Sequence, residues 1–326
     1  MSDNISRRRF IQTGLAAAGA LTASRLPLPS AVQAAPKEEL ATWLDIGKCI
    51  GCGACVDACK ATNAHKFPEP EQPFPKMYPD RVKVSDWSQD REVRDRLTPY
   101  TWLYIQQAQV QVGGQEETIY IPRRCMHCQN PPCANLCPWG AARKLQNGIT
   151  QIHPDICLGG SKCNVVCPWH IPQRQTGVGL YLKLLPSLAG NGVMFKCDRC
   201  LDRVAEGELP ACIEACPQQL QRLGPRQAII EEARARAEEI GGYIYGEEEN
   251  GGTNTIYVSP VPFEELNQAI AQGPGQPHLE PVQNSMSQAE NLGQAMLFAP
   301  LAGVAAAALR FWGSSRSKEQ KQEDKS

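Results

Sequence analysis

Apolar residues in this chain come mostly in short runs, set between loops rich in glycine, proline and cysteine. Trp43-Leu44-Asp45-Ile46 reads as a short strand that runs into such a loop, and Val56 to Ala61 can start a helix. Alternation is clearest in Thr101-Trp102-Leu103-Tyr104-Ile105, Val110-Gln111-Val112 and Thr118-Ile119-Tyr120-Ile121, which predict strands, with Gly113-Gly114 as their turn. Gly148-Ile149-Thr150-Gln151-Ile152 predicts one strand of a small hairpin, and Thr255-Ile256-Tyr257-Val258 another strand. The clearest helix spans Gly224 to Ile240, with Pro225 in its first turn, Ala, Glu and Arg on an exposed face, and Gly241-Gly242 as its stop. Phe67-Pro68-Glu69-Pro70 and Asp86 to Arg96 read as surface loop, inside an insertion at 62–124. Residues 264–294 are expected to be a linker, richest in Pro, Gly and Gln from Gly273 to Gln288.

Two apolar runs differ in kind from these. Residues 1–34 have the layout of an export signal. Ser6-Arg7-Arg8-Arg9-Phe10-Ile11 opens it, Ile11 to Ala23 is weakly apolar, and Val32-Gln33-Ala34 offers a cleavage site. The paired arginines point to the twin-arginine route, which carries folded proteins. Ala295 to Leu309 is apolar apart from Pro300 and Gly303, and counted through Trp312 gives roughly 27 Å of helix against about 30 Å of hydrocarbon. No Lys or Arg lies between Arg236 and Arg310, whereas Arg316, Lys318, Lys321 and Lys325 follow. That asymmetry predicts a membrane anchor at 295–312, with a cytoplasmic tail at 313–326 and the body on the periplasmic face.

Composition turns attention to cysteine. The chain has 326 residues, 15 of them Cys, and a formal net charge of −1, which leaves no electrostatic footprint for nucleic acid. The cysteines fall in four groups. The first is Cys49-x2-Cys52-x2-Cys55-x3-Cys59, and the second is Cys125-x2-Cys128-x4-Cys133-x3-Cys137-Pro138. The third is Cys157-x5-Cys163-x3-Cys167-Pro168, and the last is Cys197-x2-Cys200-x11-Cys212-x3-Cys216-Pro217. In the third group Gly160 stands where the second Cys belongs. A disulfide framework is a rival for an exported protein, but the number is odd and the grouping tight. Zinc also takes Cys-x2-Cys pairs, yet has no use for the third and fourth cysteines that follow so closely. The spacing is that of ferredoxin loops, in which three thiolates grip one iron–sulfur cube and the fourth reaches a neighbouring one.

The chemistry available to such sites is one-electron transfer, and no catalytic constellation accompanies them. Cys-x2-Cys-His, G-x-G-x-x-G and G-x4-G-K-[ST] are all missing from the sequence. His127, inside Cys125-Met126-His127-Cys128, reads as a spacer beside a cluster more than as a proton gate. Lys60 and Lys196 adjoin cysteines and either offset cluster charge or face solvent. Trp139 and Trp169, each following a Cys-Pro, are expected to pack in the core.

These four groups in this order, with Pro131-Pro132-Cys133, resemble the four-cluster electron-transfer subunits of the dimethyl sulfoxide reductase superfamily. The twin-arginine leader, the segment from Gly251-Gly252-Thr253 to Val261-Pro262-Phe263 and the single C-terminal apolar helix are most similar to the exported iron–sulfur subunit of quinone-linked nickel–iron hydrogenase. The formate dehydrogenase beta subunit is also similar. The resemblance implies one cluster on Cys49, Cys52, Cys55 and Cys216, and a second on Cys197, Cys200, Cys212 and Cys59. It implies a third on Cys125, Cys128, Cys133 and Cys167. The last is left with Cys157, Cys163 and Cys137. That predicts three 4Fe–4S clusters and one 3Fe–4S cluster, or a labile 4Fe–4S cluster completed by Ser161 or water.

The expected architecture is α+β. Two ferredoxin-like halves related by pseudo-symmetry fill residues 35–263, and a C-terminal transmembrane helix follows. The expected role is a non-catalytic electron-transfer subunit of an oxidoreductase complex. Its partners would be a periplasmic catalytic subunit (hydrogenase, formate dehydrogenase or molybdopterin enzyme) and an integral membrane quinone-reactive or cytochrome subunit. A freely diffusing periplasmic ferredoxin-type carrier is the alternative.

Overall fold

The computed structural model describes residues 38–74, 84–184 and 192–287. The expected signal at 1–34 and the expected anchor at 295–312 lie outside the described residues. Among the described residues no helix is long and apolar enough to cross a membrane.

The described residues form ten strands: β1 (Leu40–Asp45), β2 (Tyr104–Val112), β3 (Gln115–Arg123), β4 (Ala142–Lys144), β5 (Thr150–Ile152), β6 (Gln173–Gln175), β7 (Val193–Phe195), β8 (Gln221–Pro225), β9 (Tyr243–Tyr245) and β10 (Thr255–Ser259). Their α-helices are α1 (Ala54–Asn63), α2 (Pro132–Asn135), α3 (Lys162–Val165), α4 (Tyr181–Leu184), α5 (Leu201–Ala205), α6 (Ala211–Glu214), α7 (Arg226–Ile240) and α8 (Phe263–Ala269). Four strands make one sheet in the order β8-β1-β10-β9, in which β1 and β10 run parallel. The other six form the hairpins β2–β3, β4–β5 and β6–β7.

The four-stranded sheet buries both faces, and strand alternation sorts them. Ala41, Trp43, Ile256 and Val258 point to one side, where Ile229, Ala233 and Ala237 of α7 meet them at helical spacing. Each buried Ile or Val there contributes roughly 1.5–3 kcal/mol. Leu44 and Tyr257 point to the other side, into the core that also holds most of the cysteines. Helix α7 begins after Pro225, which has no N–H to lose, and ends at Gly241, whose φ of +60° turns the chain out of the helix. The buried Asp45 carboxylate at the end of β1 receives Arg236 Nε of α7 at 2.7 Å, which ties helix, sheet and first cysteine loop together.

The sequence expectation of strands around Gly113-Gly114 resolves into one long hairpin, in which Val112 pairs with Gln115. Both glycines have positive φ, +60° and +83°, as a two-residue turn requires. Elsewhere in the 62–124 insertion, no residue of 86–96 is buried, in keeping with the expected surface loop, and the packed residues lie beside it. Leu97, Tyr100, Trp102 and Leu103 are buried, and Phe67 meets Tyr100 and Trp102 edge to face.

The expected linker is corrected. Residues 264–287 are packed on the body: Leu266, Ile270, Leu279 and Met286 are buried, as is Phe263 just before them. The extended part is pinned by Arg123 Nη2 to the His278 carbonyl at 2.8 Å and by Tyr245 Oη to the Glu280 carbonyl at 2.9 Å. Its composition denies this stretch a regular element beyond α8. The widely spaced apolar residues and outside hydrogen bonds still give it a fixed path.

Candidate cluster-binding sites

All fifteen cysteines lie in the described residues, and all are free thiols. Each group enters from the end of a strand: β1 leads to Cys49, β3 to Cys125, β5 to Cys157 and β7 to Cys197. A bend repeats in every loop. The residue before the second cysteine place has positive φ in all four: Gly51 (+68°), His127 (+49°), Gly159 (+63°) and Arg199 (+57°). That bend turns the same residue's N–H onto the first cysteine sulfur. His127 N donates to Cys125 Sγ at 3.5 Å and Arg199 N to Cys197 Sγ at 3.3 Å. Gly51 and Gly159 donate likewise to Cys49 and Cys157. A left-handed bend costs a residue with a side chain about 1–2 kcal/mol, so His127 and Arg199 hold their places at some expense. The shared bend also fixes Gly160 as the counterpart of Cys52, Cys128 and Cys200.

A second bend follows each Cys-Pro. Gly140, His170 and Gln219, three residues beyond Cys137, Cys167 and Cys216, have φ of +62°, +50° and +49°. Each donates its N–H back to that cysteine's carbonyl, at 3.2, 3.0 and 3.1 Å. Proline stops the short helix, and the bend sends the chain away. Cys59 has no proline after it, and α1 runs on to Asn63.

The cysteines gather in the sets that the resemblance implied. Cys49, Cys52, Cys55 and Cys216 line one void. Cys59, Cys197, Cys200 and Cys212 line a second, and Cys125, Cys128, Cys133 and Cys167 a third. Cys137, Cys157 and Cys163 lie in electrostatic range of one another as the fourth set. The sets form a row. Cys55 of the first is in range of Cys212 of the second, Cys197 of the second in range of Cys125 of the third, and Cys163 of the fourth in range of Cys167 of the third.

Three voids, each lined by four cysteines drawn from two groups, suit one kind of polynuclear occupant. Burial pushes the Cys55, Cys163 and Cys197 thiols up to about 12 and Cys167 to about 11. Such thiols need an electropositive occupant to ionise, and iron supplies it. The residues present therefore fit thiolate-bound iron–sulfur clusters.

The surroundings separate the candidate tuning residues. Lys60 turns away from the cysteines, to the Arg91 carbonyl and Glu92 at 2.9 Å each. Lys196 is buried against the third void and donates to the carbonyls of Thr150 and of Cys197, the latter at 3.0 Å. His127 is buried, and desolvation followed by the nearby cations Arg199, Lys196 and Arg124 holds its pKa well below the usual range. Its Nδ1 accepts the Thr150 N–H at 3.1 Å, which leaves the proton on Nε2. Trp169 is core as expected and donates to Tyr245 Oη at 2.8 Å. Trp139 is not: it is 60% exposed. The sequence reading missed Arg124, whose Nη1 reaches Cys212 Sγ at 3.0 Å, and Asn63, whose Nδ2 lies 3.8 Å from Cys59 and Cys200 Sγ. The adjacency of Arg124 to Cys125 was the available signal, but it touches a cysteine 88 positions away.

Residues 48–141 and 116–226 each match the family described as 4Fe-4S dicluster domain. Over 302 residues the chain is 30% identical to the Hydrogenase-2 operon protein HybA of Escherichia coli O157:H7, covering 81% of this chain and 83% of that one. The chain belongs to the 4Fe–4S dicluster iron–sulfur subunits. Two further members of this family fit beside it. The B subunit of the anaerobic dimethyl sulfoxide reductase of Escherichia coli K12 is 31% identical over 184 residues, 56% of this chain and 72% of that one. The iron-sulfur subunit of the nitrate-inducible formate dehydrogenase from the same strain is 29% identical over 229 residues, 68% of each chain.

Proposed function

We propose that this dicluster subunit relays electrons between a catalytic subunit on the periplasmic side and a quinone-reactive or cytochrome subunit in the membrane. The observation that carries this reading is the row of four cysteine sets, each in range of the next. Clusters bound there supply one-electron transfer. The protein's own part is to hold the sulfurs, direct N–H groups at them and keep water out. Both ends of the row meet the surface beside apolar side chains. Cys52 is exposed next to Ile50 at one end, and Leu136, Trp139 and Val165 flank the three-cysteine set at the other. Exposed apolar groups of this size suit docking of partner subunits. Export by the twin-arginine signal at 1–34 and anchoring by 295–312 complete the proposal.

The fourth set is proposed to hold a 3Fe–4S cluster. Its ligand count is three, and Ser161 Oγ is turned to the Gly159 carbonyl at 3.4 Å and Met194 Sδ at 3.5 Å. Anaerobic purification from solubilised membranes tests the whole reading. We expect on the order of 15 iron atoms per chain and co-purification of a catalytic and a membrane subunit, identified by mass. Iron-free folded protein, or a chain that leaves washed membranes with no partner attached, refutes it.

A further inference from the structure

We propose that Arg124, Lys196 and Arg199 form a fixed cationic bridge between the two middle cysteine sets. The bridge raises the reduction potential of the clusters held there above that of the cluster at Cys49, Cys52, Cys55 and Cys216. All three side chains are buried, at 4%, 6% and 3% exposure. Arg124 and Arg199 line the void of Cys59, Cys197, Cys200 and Cys212, and Lys196 lines the void of Cys125, Cys128, Cys133 and Cys167. Among the described residues, none of the three has a carboxylate partner. Arg124 gives Nη1 to Cys212 Sγ at 3.0 Å and leaves Nη2 unpaired. Arg199 donates to the carbonyls of Leu40 and Asn254 at 2.7 and 2.6 Å and to Thr255 Oγ1 at 3.1 Å. Lys196 donates to two carbonyls. Asp198, in electrostatic range of Lys196, is instead ion-paired with Lys66 at 2.8 Å.

Buried positive charge without a counter-ion is strongly disfavoured, so these three require buried negative charge. Thiolate-bound clusters supply it. They are net anionic and gain a further negative charge on reduction, so fixed cations beside them favour the reduced form. Guanidinium groups cannot relax by losing a proton, which makes this bias permanent. The first void is less well served: its lining contains no Lys or Arg among the described residues, although Arg124 lies in range of its Cys55. Arg199 adds a second argument. It occupies a left-handed bend that Gly51 and Gly159 fill in the sister loops, so its side chain is kept there against the backbone's preference. The arrangement makes the Cys52 end a lower-potential neighbour of the middle of the row.

The test is a potentiometric titration of the full-length protein, followed by electron paramagnetic resonance. Cys52→Ser assigns the first cluster's signal, which in the wild type should titrate below those of the two middle clusters. Lys196→Gln keeps a hydrogen-bond donor but removes the charge. It should lower a middle-cluster midpoint by at least tenfold in the reduction equilibrium, ~59 mV for one electron, while Lys196→Arg stays within threefold of the wild type. A wild-type first cluster that titrates at or above the middle pair overturns the proposal. So does Lys196→Gln protein with full iron and unshifted midpoints. If Lys196→Gln fails to assemble, the wild-type ranking decides alone. The inference rests on the clusters proposed above: protein without iron overturns both readings, whereas full iron with the wrong ranking overturns this one alone.

Discussion

Gly51 and Gly53 flank Cys52 and both have positive φ, yet the structure predicts different fates for them as alanine. At Gly51, φ is +68° and a Cβ would stand 2.5, 2.6 and 2.9 Å from ring atoms of Tyr120, which the β2–β3 hairpin lays over the first cysteine loop. At Gly53, φ is +79° and a Cβ would meet nothing within 4 Å. Both substitutions carry the left-handed penalty of about 1–2 kcal/mol. Gly51→Ala adds an overpacking cost of about 1–3 kcal/mol, for a total of roughly 2–5. The assay is urea denaturation under argon, read by loss of cluster absorbance and by iron retained after desalting. Gly51→Ala should lower the midpoint clearly more than Gly53→Ala. Adding Tyr120→Ala should then return part of the loss, a coupling of about 1–3 kcal/mol between touching residues. Equal effects at the two glycines, or strict additivity with Tyr120→Ala, would refute the claim that the hairpin ring closes this loop.

Gly160→Cys should raise the iron content by about one atom per chain and abolish any three-iron signal in the oxidised protein, since a Cβ there meets no atom within 4 Å; unchanged iron and an unchanged spectrum count against the three-iron assignment. Iron loading of the reduced apoprotein should weaken steeply from about pH 8 to pH 6, because buried thiols that bind iron must first release protons; the sign follows from pKa values raised by burial to about 12 at Cys55 and Cys163, and loading that improves on acidification would contradict it. Ile256→Ala, at the fully buried contact between β10 and α7, should cost about 2–5 kcal/mol, measured as a lower urea midpoint; a change below about 0.5 kcal/mol would mean this face is not packed as described.

What was legible beforehand follows from how local each signal is. Cysteine spacing is local, and it marked the four groups as ferredoxin-like loops; which distant cysteine joins each set came from the family resemblance. Helix α7 and the strand at Thr255 were likewise readable from periodicity and stop residues. The buried environment was not. Arg124 looked like one more basic residue after a strand, and only the fold brings it to Cys212. Lys60 and Lys196 looked alike, each beside a cysteine. They part because Lys60 sits on a helix flank facing Glu92, whereas Lys196 ends a strand that runs between two sets. Trp139 and Trp169 share the same Cys-Pro-Trp context but have 60% and 1% exposure. Trp169 meets Tyr245, which the chain supplies 76 residues later, whereas Trp139 stays at the surface. The packed path of residues 264–287 was hidden for the same reason. Its hydrogen-bond partners, Arg123, Tyr245 and Asn250, all lie on other elements. A repeat of short loops thus declares its metal ligands in sequence, while the charges and rings that set each ligand set apart come from wherever the repeats are pressed together. Differences between clusters held at these sets should therefore be sought in those inter-repeat residues before the cysteines themselves.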